Sequence, residues 1–399
     1  MSFTSTSSSL SVNGWKGGQL IFKDFVLADS SNVYANTTPS IPPRVSTISL
    51  DTGNVAFLGD QFNATTIGTG ITVSNTFPSI TNSNIESGTG IEVSVDGSGA
   101  YAISGSPSSV PIMFAPTANN WSVQQVISPN APDYFSFGEI VTMNQNGDIV
   151  AIVGTQNITG TRKIELFTRS GSTWSYQDTI TQPAGGSGMA LSIGQMDFNT
   201  AGDILAVGDV QYAGTYTGEG AVYIFEESGG TWSLTHTLTQ PNPVTRTNWQ
   251  FGRKVTMNVT GDSIVSSDRR GFPTAQGHGV SRFQKQGASW AQTAEMSPTD
   301  TLTGGIAVDD FGESLDANKN DHNTIIVKGT VPTSNATYGR GRLYVFQNEG
   351  TSYIQTQEIY NVTYVTPPTG GFGFSVRMTA DGSKFLCCDV TYAIYLYTT

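Results

Sequence analysis

The stretch from Asn144 to Asp148 reads Asn-Gln-Asn-Gly-Asp and carries side-chain oxygens of the kind that bind calcium. In proteins Ca²⁺ takes roughly six to eight oxygen ligands, several of them carboxylates. This stretch has one carboxylate, and so does each of its counterparts further along the chain. Asn-Gly, Ala-Gly, Thr-Gly and Asp-Gly pairs, in contrast, favour tight turns. The ligand count therefore predicts turns and no metal at Asn144–Asp148, Asn199–Asp203, Asn258–Asp262 and Thr379–Asp381.

A related stretch, Asn318–Asn323, holds both Asp321 and His322 and is the remaining candidate for a cation site. The other two histidines, His236 and His278, show no spacing typical of zinc ligands. No Ser-His-Asp or Cys-His set is indicated either. We therefore expect no catalytic residue, no cofactor and no enzymatic activity.

The two cysteines, Cys387 and Cys388, are adjacent in the sequence. Neighbouring residues of a strand point to opposite faces, so a bond between these two would be strained. We expect two strand thiols and no disulfide framework.

Three irregular segments are candidates for ligand binding. Adaptable, tyrosine-bearing loops suit recognition of carbohydrate or protein, and loops at one end of a rigid scaffold commonly carry binding sites. Solvated loops without a ligand are the alternative. The candidate binding residues are Tyr212 and Tyr216 in Asp209–Gly220, Arg269, Arg270 and His278 in the segment after Asp268, and Tyr338 and Arg340 in Thr333–Arg342.

The elements that must position these loops recur along the chain. Five hairpins are marked by two aromatic residues seven positions apart, with a Gly-bearing turn in four of them. Their in-register tryptophans, Trp174, Trp232 and Trp290, are expected to pack between repeats, and a sugar-stacking platform is the alternative. The aromatic pairs are Phe114/Trp121, Phe167/Trp174, Phe225/Trp232, Phe283/Trp290 and Phe346/Tyr353.

A second motif alternates with the hairpins and supplies two more strands to each repeat. It begins at Phe137, Ile193, Phe251, Phe311 and Phe372, mostly as Phe-Gly, and continues through a polar turn to a short apolar strand. The chain begins this pattern with a lone hairpin, Ile112–Ile127, and ends it with the motif plus one strand. We expect these ends to complete one sheet together. The predicted fold is therefore all-β, with a five-bladed β-propeller at residues 108–399, six blades being the alternative.

This order of Phe-Gly, Gly-Asp turn, apolar strand and Val-Tyr-Ile-Phe resembles the FG-GAP repeats of integrin-α-like propellers. The resemblance covers nearly three quarters of the chain, and it implies a propeller with adhesion as a function. The calcium loops of that family carry more carboxylates than the stretches found here.

Residues 1–107 differ in character and are expected to form a β-rich, fibre-like stem. They contain a doublet, Gly68–Ser74 and Gly88–Ser94, with the pattern Gly-Thr-Gly-Ile-x-Val-Ser. This pattern resembles shaft repeats of viral and phage tail fibres or spikes, which implies intertwined trimers. Independently, short strands with few large apolar residues bury too little surface alone, which favours oligomerisation or docking.

The composition restricts the partners. With a net charge of −12 and 19 Lys and Arg residues, the chain is expected to be repelled by nucleic acid and by anionic membranes. Only 13% of residues are charged, which is typical of extracellular or particle-surface β proteins. No run is long enough to span a membrane, and the first residues lack the pattern of a cleavable signal. A virus particle reconciles these observations, and export by another route stays open.

The leading hypothesis is a non-enzymatic virion structural protein, a fibre, spike or capsid-decorating protein that mediates host attachment. Its expected partners are other virion proteins through residues 1–107 and a host glycan or protein through the propeller loops, with a homotrimer as the oligomer. It would lie on the virion surface, made in the host cytoplasm and extracellular after release. A propeller glycan hydrolase and a cellular integrin-like adhesion protein are the alternatives.

Calcium is expected to leave the stability of the protein unchanged. At a free calcium concentration one hundred times the dissociation constant, a calcium site would add about 2.7 kcal/mol to the free energy of unfolding. Thermal unfolding with excess CaCl₂ and with EDTA measures this directly. A rise in melting temperature on adding calcium would contradict the turn assignment and favour the integrin-like alternative.

Overall fold

The computed structural model describes residues 20–22, 25–27, 33–35, 92–98, 100–106, 109–116, 121–131, 133–157, 161–181, 193–241, 249–268, 279–298, 311–330, 341–350, 352–359, 373, 375–388 and 394–398. Every regular element in these ranges is a β-strand, which confirms the all-β class. Within them there is no helix with the length and apolarity needed to cross a membrane.

The strands are β1 (Leu20–Phe22), β2 (Phe25–Leu27), β3 (Val33–Ala35), β4 (Glu92–Val95), β5 (Ala102–Ser106), β6 (Ser109–Pro116), β7 (Trp121–Val126), β8 (Tyr134–Met143), β9 (Ile149–Gln156), β10 (Arg162–Ser170), β11 (Thr173–Ile180), β12 (Ile193–Phe198), β13 (Ile204–Asp209), β14 (Ala221–Ser228), β15 (Thr231–Leu238), β16 (Lys254–Met257), β17 (Ser263–Ser267), β18 (Val280–Gln286), β19 (Ser289–Met296), β20 (Leu315–Ala317), β21 (Thr324–Thr330), β22 (Gly341–Asn348), β23 (Tyr353–Ile359), β24 (Ser375–Met378), β25 (Lys384–Cys388) and β26 (Ile394–Thr398).

The strands form consecutive antiparallel meanders, in which each strand pairs with its neighbour in the chain. A three-stranded sheet, β1–β3, comes first. Six sheets follow among the described residues: sheet 1 (β4–β7), sheet 2 (β8–β11), sheet 3 (β12–β15), sheet 4 (β16–β19) and sheet 5 (β20–β23) have four strands, and sheet 6 (β24–β26) has three. The predicted aromatic hairpins form the third and fourth strands of sheets 1 to 5, and the predicted turn motif joins the first and second strands of sheets 2 to 6.

The two ends of the repeat array are built differently from the prediction. We expected the Ile112–Ile127 hairpin and the C-terminal strands to complete one sheet, and this is wrong. The hairpin pairs through β6 with β5, which in turn pairs with β4, while β26 pairs with β25 in sheet 6. Sheet 1 therefore crosses residue 107, where the sequence had suggested the end of the stem. The Asp96-Gly97 pair indicates the hairpin of β4 and β5, but the sequence analysis counted it with residues 1–107, because it lacks the aromatic pair that marks the repeats.

Each sheet packs against the next through the first strand of the later one. β8 contacts β4, β5 and β6, β16 contacts β12 and β13, and β24 contacts β20 and β21. Apolar side chains fill each gap; Met257 and Val255 of sheet 4, for example, meet Val222 and Ile224 of sheet 3. Burial of such side chains contributes about 25 cal/mol per Å². Four-stranded meanders packed in chain order have the arrangement of propeller blades.

The tryptophans pack between sheets, as predicted. Trp174 is buried against sheet 1. Its backbone N–H donates to Oε1 of Gln125 at 2.8 Å, and its backbone carbonyl accepts from Nε2 of the same glutamine at 2.9 Å. The N–H of Trp232 donates to Oδ2 of Asp178 in sheet 2 at 2.9 Å. Trp290 packs against the core between sheets 3 and 4. These residues hold the fourth strand of one sheet to the sheet before it.

The Phe-Gly motif is explained by close approach of neighbouring sheets. Phe251 is fully buried, and its N–H donates to the carbonyl of Glu219 in the preceding sheet at 3.0 Å. Gly252 has φ of +89°, and a Cβ there would lie 2.3 Å from the carbonyl oxygen of Ala221 and 2.9 Å from Cα of Gly208. Only glycine allows the first strand to enter at this distance.

Replacement of Gly252 by alanine should therefore cost more than backbone strain alone. Gly171 is a matched control, because its φ is +61° and nothing lies within 4 Å of a Cβ built there. We expect Gly171→Ala to lower the free energy of unfolding by about 1 kcal/mol and Gly252→Ala by at least about 2 kcal/mol more. Denaturant titration measures both, and equal losses would contradict the close packing of sheets 3 and 4.

Candidate functional site

The turn between the first and second strands of each sheet, here called its first turn, was the candidate calcium loop. In sheet 2 the side chain of Asn144 fills this turn. Its Oδ1 accepts the N–H groups of Asp148 and Ile149, both at 3.1 Å, and its Nδ2 donates to Oδ1 of Asp148 at 2.6 Å. Asn144 is buried, so this amide is not offered to solvent. The turn prediction is confirmed.

The same closure recurs in the first turns of the other sheets. In each case a polar side chain at the first turn position accepts N–H groups from the far side of the turn. An aspartate further along accepts from that side chain in sheets 2 to 6. Among the described residues, no three His, Cys, Asp or Glu side chains lie together in a metal-holding group. The closing residues are Asp96, Asn144, Asn199, Asn258, Asn318 and Thr379.

The first turns are also bonded to one another, sheet by sheet. The N–H of Gly97 donates to the carbonyl of Gln145 at 2.8 Å, and Asn144 Nδ2 donates to the carbonyl of Thr200 at 3.0 Å. The chain of bonds continues from Thr200 to Val259 at 3.1 Å, from Val259 to Lys319 at 2.8 Å and from Asn320 to Ala380 at 3.1 Å. One row of turns thus links all six sheets at one end, called here the first-turn end.

The first strands carry a second set of bonds that the sequence analysis missed. A first strand pairs on one side only, which leaves N–H groups free on its other edge. Side chains of the preceding first strand accept them: Ser94 Oγ from Met143 at 3.0 Å, Asp197 Oδ2 from Met257 at 2.7 Å and Asp316 Oδ2 from Met378 at 2.8 Å. Each acceptor lies two positions before its turn-closing residue, a signal that the sequence does contain.

The two carboxylates among these acceptors, Asp197 and Asp316, interact with cationic side chains at the first-turn end. Asp197 of sheet 3 pairs with Nζ of Lys319 in sheet 5, and both side chains are mostly buried. Burial raises the pKa of Asp316, and the nearby cations of Arg377 and Lys319 offset this only in part. The chemistry of this group of residues is mutual neutralisation, which holds non-adjacent sheets together.

The remaining cation candidate, Asn318–Asn323, is also a first turn. His322 is fully buried, and its Nδ1 lies 3.0 Å from Oγ of Ser263 in sheet 4. A serine beside a histidine would suit nucleophilic catalysis. Here both side chains are buried, at 1% and 0% exposure, so a substrate has no access to the pair. We interpret it as a structural contact.

The opposite end of the sheets carries the connections between second and third strands, and we call it the loop end. The connection Asp209–Gly220 is held by its own bonds: Glu219 accepts the N–H groups of Thr215 at 3.3 Å and Tyr216 at 3.2 Å. Tyr212 is partly buried, with its ring 6.1 Å from that of Tyr223. Tyr216 is also only partly exposed. The loop thus presents these residues from a fixed backbone.

A buried hydroxyl supports this loop from below. The Oη of Tyr223 donates to Oδ2 of Asp209 at 3.3 Å, and the N–H of Gln211 donates to Oδ1 of the same carboxylate at 3.0 Å. Burial, and then the neighbouring Asp209, raise the pKa of Tyr223. The tyrosine therefore stays protonated and remains a donor at any ordinary pH.

The other predicted binding residues lie outside the described residues. Their segments connect β17 to β18 and β21 to β22, so by chain order they are second-to-third-strand connections like Asp209–Gly220. Their participation in binding stays a prediction. These residues are Arg269, Arg270, His278, Tyr338 and Arg340.

Comparison with solved structures finds propeller-like folds at low identity. The β-propeller domain of Cps50 (Swd1) from Myceliophteria thermophila is 9% identical, with a TM-score of 0.46, over 77% of this chain and 84% of that one. Sqt1 from Saccharomyces cerevisiae is 9% identical, with a TM-score of 0.46, over 77% and 71%. Hydrazine synthase from Kuenenia stuttgartiensis is 10% identical, with a TM-score of 0.49, over 77% and 83%. These values support no inference about activity or partners.

No protein-family model matches the chain, and no curated protein matches it. The resemblance to FG-GAP repeats and to fibre shafts therefore stays a prediction.

The Asp197–Lys319 pair provides a test of the first-turn end. Asp197→Asn keeps an acceptor for the N–H of Met257 and removes the negative charge that pairs with the mostly buried Lys319, which should cost about 3 kcal/mol of unfolding free energy. The double variant with Lys319→Met should lose at least about 1 kcal/mol less than the two single losses added together. Denaturant titration of the three variants measures this coupling, and strict additivity would show that the pair contributes nothing.

Proposed function

We propose that this protein is a non-enzymatic virion surface protein whose propeller presents loops for host attachment or decorates the capsid. The observation that carries the proposal is the asymmetry between the two ends of the sheets. At the first-turn end, the polar side chains of the repeats bond to one another and to neighbouring sheets. At the loop end, longer connections that contain tyrosines project from the rigid sheets. Recognition residues commonly lie in such loops.

In this proposal the sheets close into a six-bladed ring of the FG-GAP type, with sheet 6 beside sheet 1. The unbroken row of first turns from sheet 1 to sheet 6 supports closure, because each turn already contacts the next. Closure would cover the outer faces of the two terminal sheets, which an open array would leave in water.

The N-terminal region, expected at residues 1–107, would anchor the protein to other virion proteins and hold three copies together. The Gly-Thr-Gly-Ile-x-Val-Ser doublet supports this part, as does the scarcity of charge over the whole chain. The loop end would take a host surface glycan or protein. The net charge of −12 argues against nucleic acid as a partner.

Immunogold labelling of particles from a lysate of the source culture tests the proposal. We expect gold on discrete protrusions, and light scattering of the purified protein should give three times the mass of one chain. Label confined to cells or soluble fractions would overturn the virion proposal, and a hydrolase or an adhesion protein would then be the better interpretation.

Binding of the fluorescently labelled protein to host cells should depend on the loop end. We expect Tyr216→Ala to weaken binding about tenfold, as for a typical aromatic contact residue. Tyr176→Ala is the matched control, since Tyr176 is 39% exposed on β11, away from the loop. Equal binding by wild type and Tyr216→Ala, or equal losses in the two variants, would refute a role for this loop.

A further inference from the structure

In the first turn of sheet 5, His322 has the left-handed backbone conformation that a glycine has in most of the other first turns. The first turns of sheets 2, 3, 4 and 6 contain a glycine with φ between +67° and +76°. In sheet 5 the turn is one residue longer, and His322 adopts φ of +58° instead. A side chain whose unperturbed pKa lies near neutral pH is thereby placed in the contact between sheets 4 and 5.

The contacts of the ring suit its neutral form. Oγ of Ser263 accepts from Nε of Arg282 at 3.0 Å and lies 3.0 Å from Nδ1 of His322. Since the guanidinium can only donate, the serine hydroxyl keeps its own proton and one lone pair, so it can pair with Nδ1 of the neutral ring in either tautomer. In the doubly protonated ring Nδ1 can only donate, so the serine hydroxyl would have to accept from both Arg282 and His322, and its own proton would lose the ring as a partner.

The charged surroundings also oppose protonation. Lys319 of the same turn and Arg282 of β18 are both cations, and burial together with these two charges holds the pKa of His322 well below its usual value. The backbone of Met257 opposes this only in part. On the other side, the carboxylate of Asp321 is occupied by Asn318 and Asn323, and Tyr353 of β23 donates its hydroxyl to the carbonyl of His322 at 2.5 Å.

We propose that His322 is an acid-sensitive latch, whose protonation releases the first turn of sheet 5 from sheet 4. The sign follows from linkage. A ring exposed by local opening takes up a proton below about pH 6.5, while the buried ring stays neutral, so acid favours the open form. The opening equilibrium should rise up to about tenfold for each pH unit below 6.5, until the buried ring itself is protonated.

Amide hydrogen exchange measures this opening at a defined bond. The N–H of Val259 donates to the carbonyl of Lys319 across the two sheets at 2.8 Å, so its exchange reports their separation. After correction for the intrinsic pH dependence of exchange, we expect the opening constant at this amide to rise from pH 7 to pH 5 in the wild type. In His322→Asn, which tolerates the left-handed backbone and does not titrate, the part of this rise that the histidine contributes should be lost.

Two controls keep the test decisive. His236→Asn removes the half-buried histidine of β15 and should retain the wild-type slope. Asp316 and Glu165, whose pKa values are raised by burial, and Asp381, whose pKa is lowered by its bond from Thr379, titrate alike in every variant, so the difference isolates His322. If His322→Asn does not fold, His322→Gly suits the same backbone. A slope equal to wild type in the non-titrating variant overturns the proposal.

Discussion

The rest of the structure depends on the hydrogen bonds by which one polar side chain closes each first turn. By accepting the N–H groups of its own turn, an asparagine such as Asn144 fixes the turn while leaving other backbone groups free to reach the next sheet. The aspartate of the Gly-Asp pair holds the amide in place. Because six such turns are bonded in one row, the spacing and register of the sheets are set at this end, and the hydrophobic layers between sheets follow from it.

The same constraint separates stability from recognition. Residues at positions that repeat along the chain, such as Trp174, Gly252 and Asp197, form the contacts between sheets. The connections at the opposite end take no part in the row of turns and differ in length and sequence. A scaffold fixed at one end can vary its loops at the other with little loss of stability, which is what a surface-displayed binding protein requires.

Much of the fold was predictable because its signals are local. A turn pair such as Asn146-Gly147 and the regular spacing of aromatic residues each report on a few neighbouring residues, and the hairpins follow from them. The Asp96-Gly97 pair does indicate the β4–β5 hairpin, but its place in sheet 1 was not predictable, because no aromatic pair marks the pairing of β5 with β6. The Asp197–Lys319 pair joins residues far apart in the sequence, and no local pattern indicates it. Of the candidate binding residues, Tyr212 and Tyr216 lie in the described connection Asp209–Gly220, and the others lie outside the described residues.

Closure of the six sheets into a ring is the central claim, and electron cryomicroscopy of the purified full-length protein tests it most directly. The account predicts a closed ring in axial view with six blades, in which sheet 6 lies beside sheet 1 and the first turns meet around one end of the axis. An open arc of sheets, a ring with another number of blades, or first turns facing the outside of the ring would contradict it.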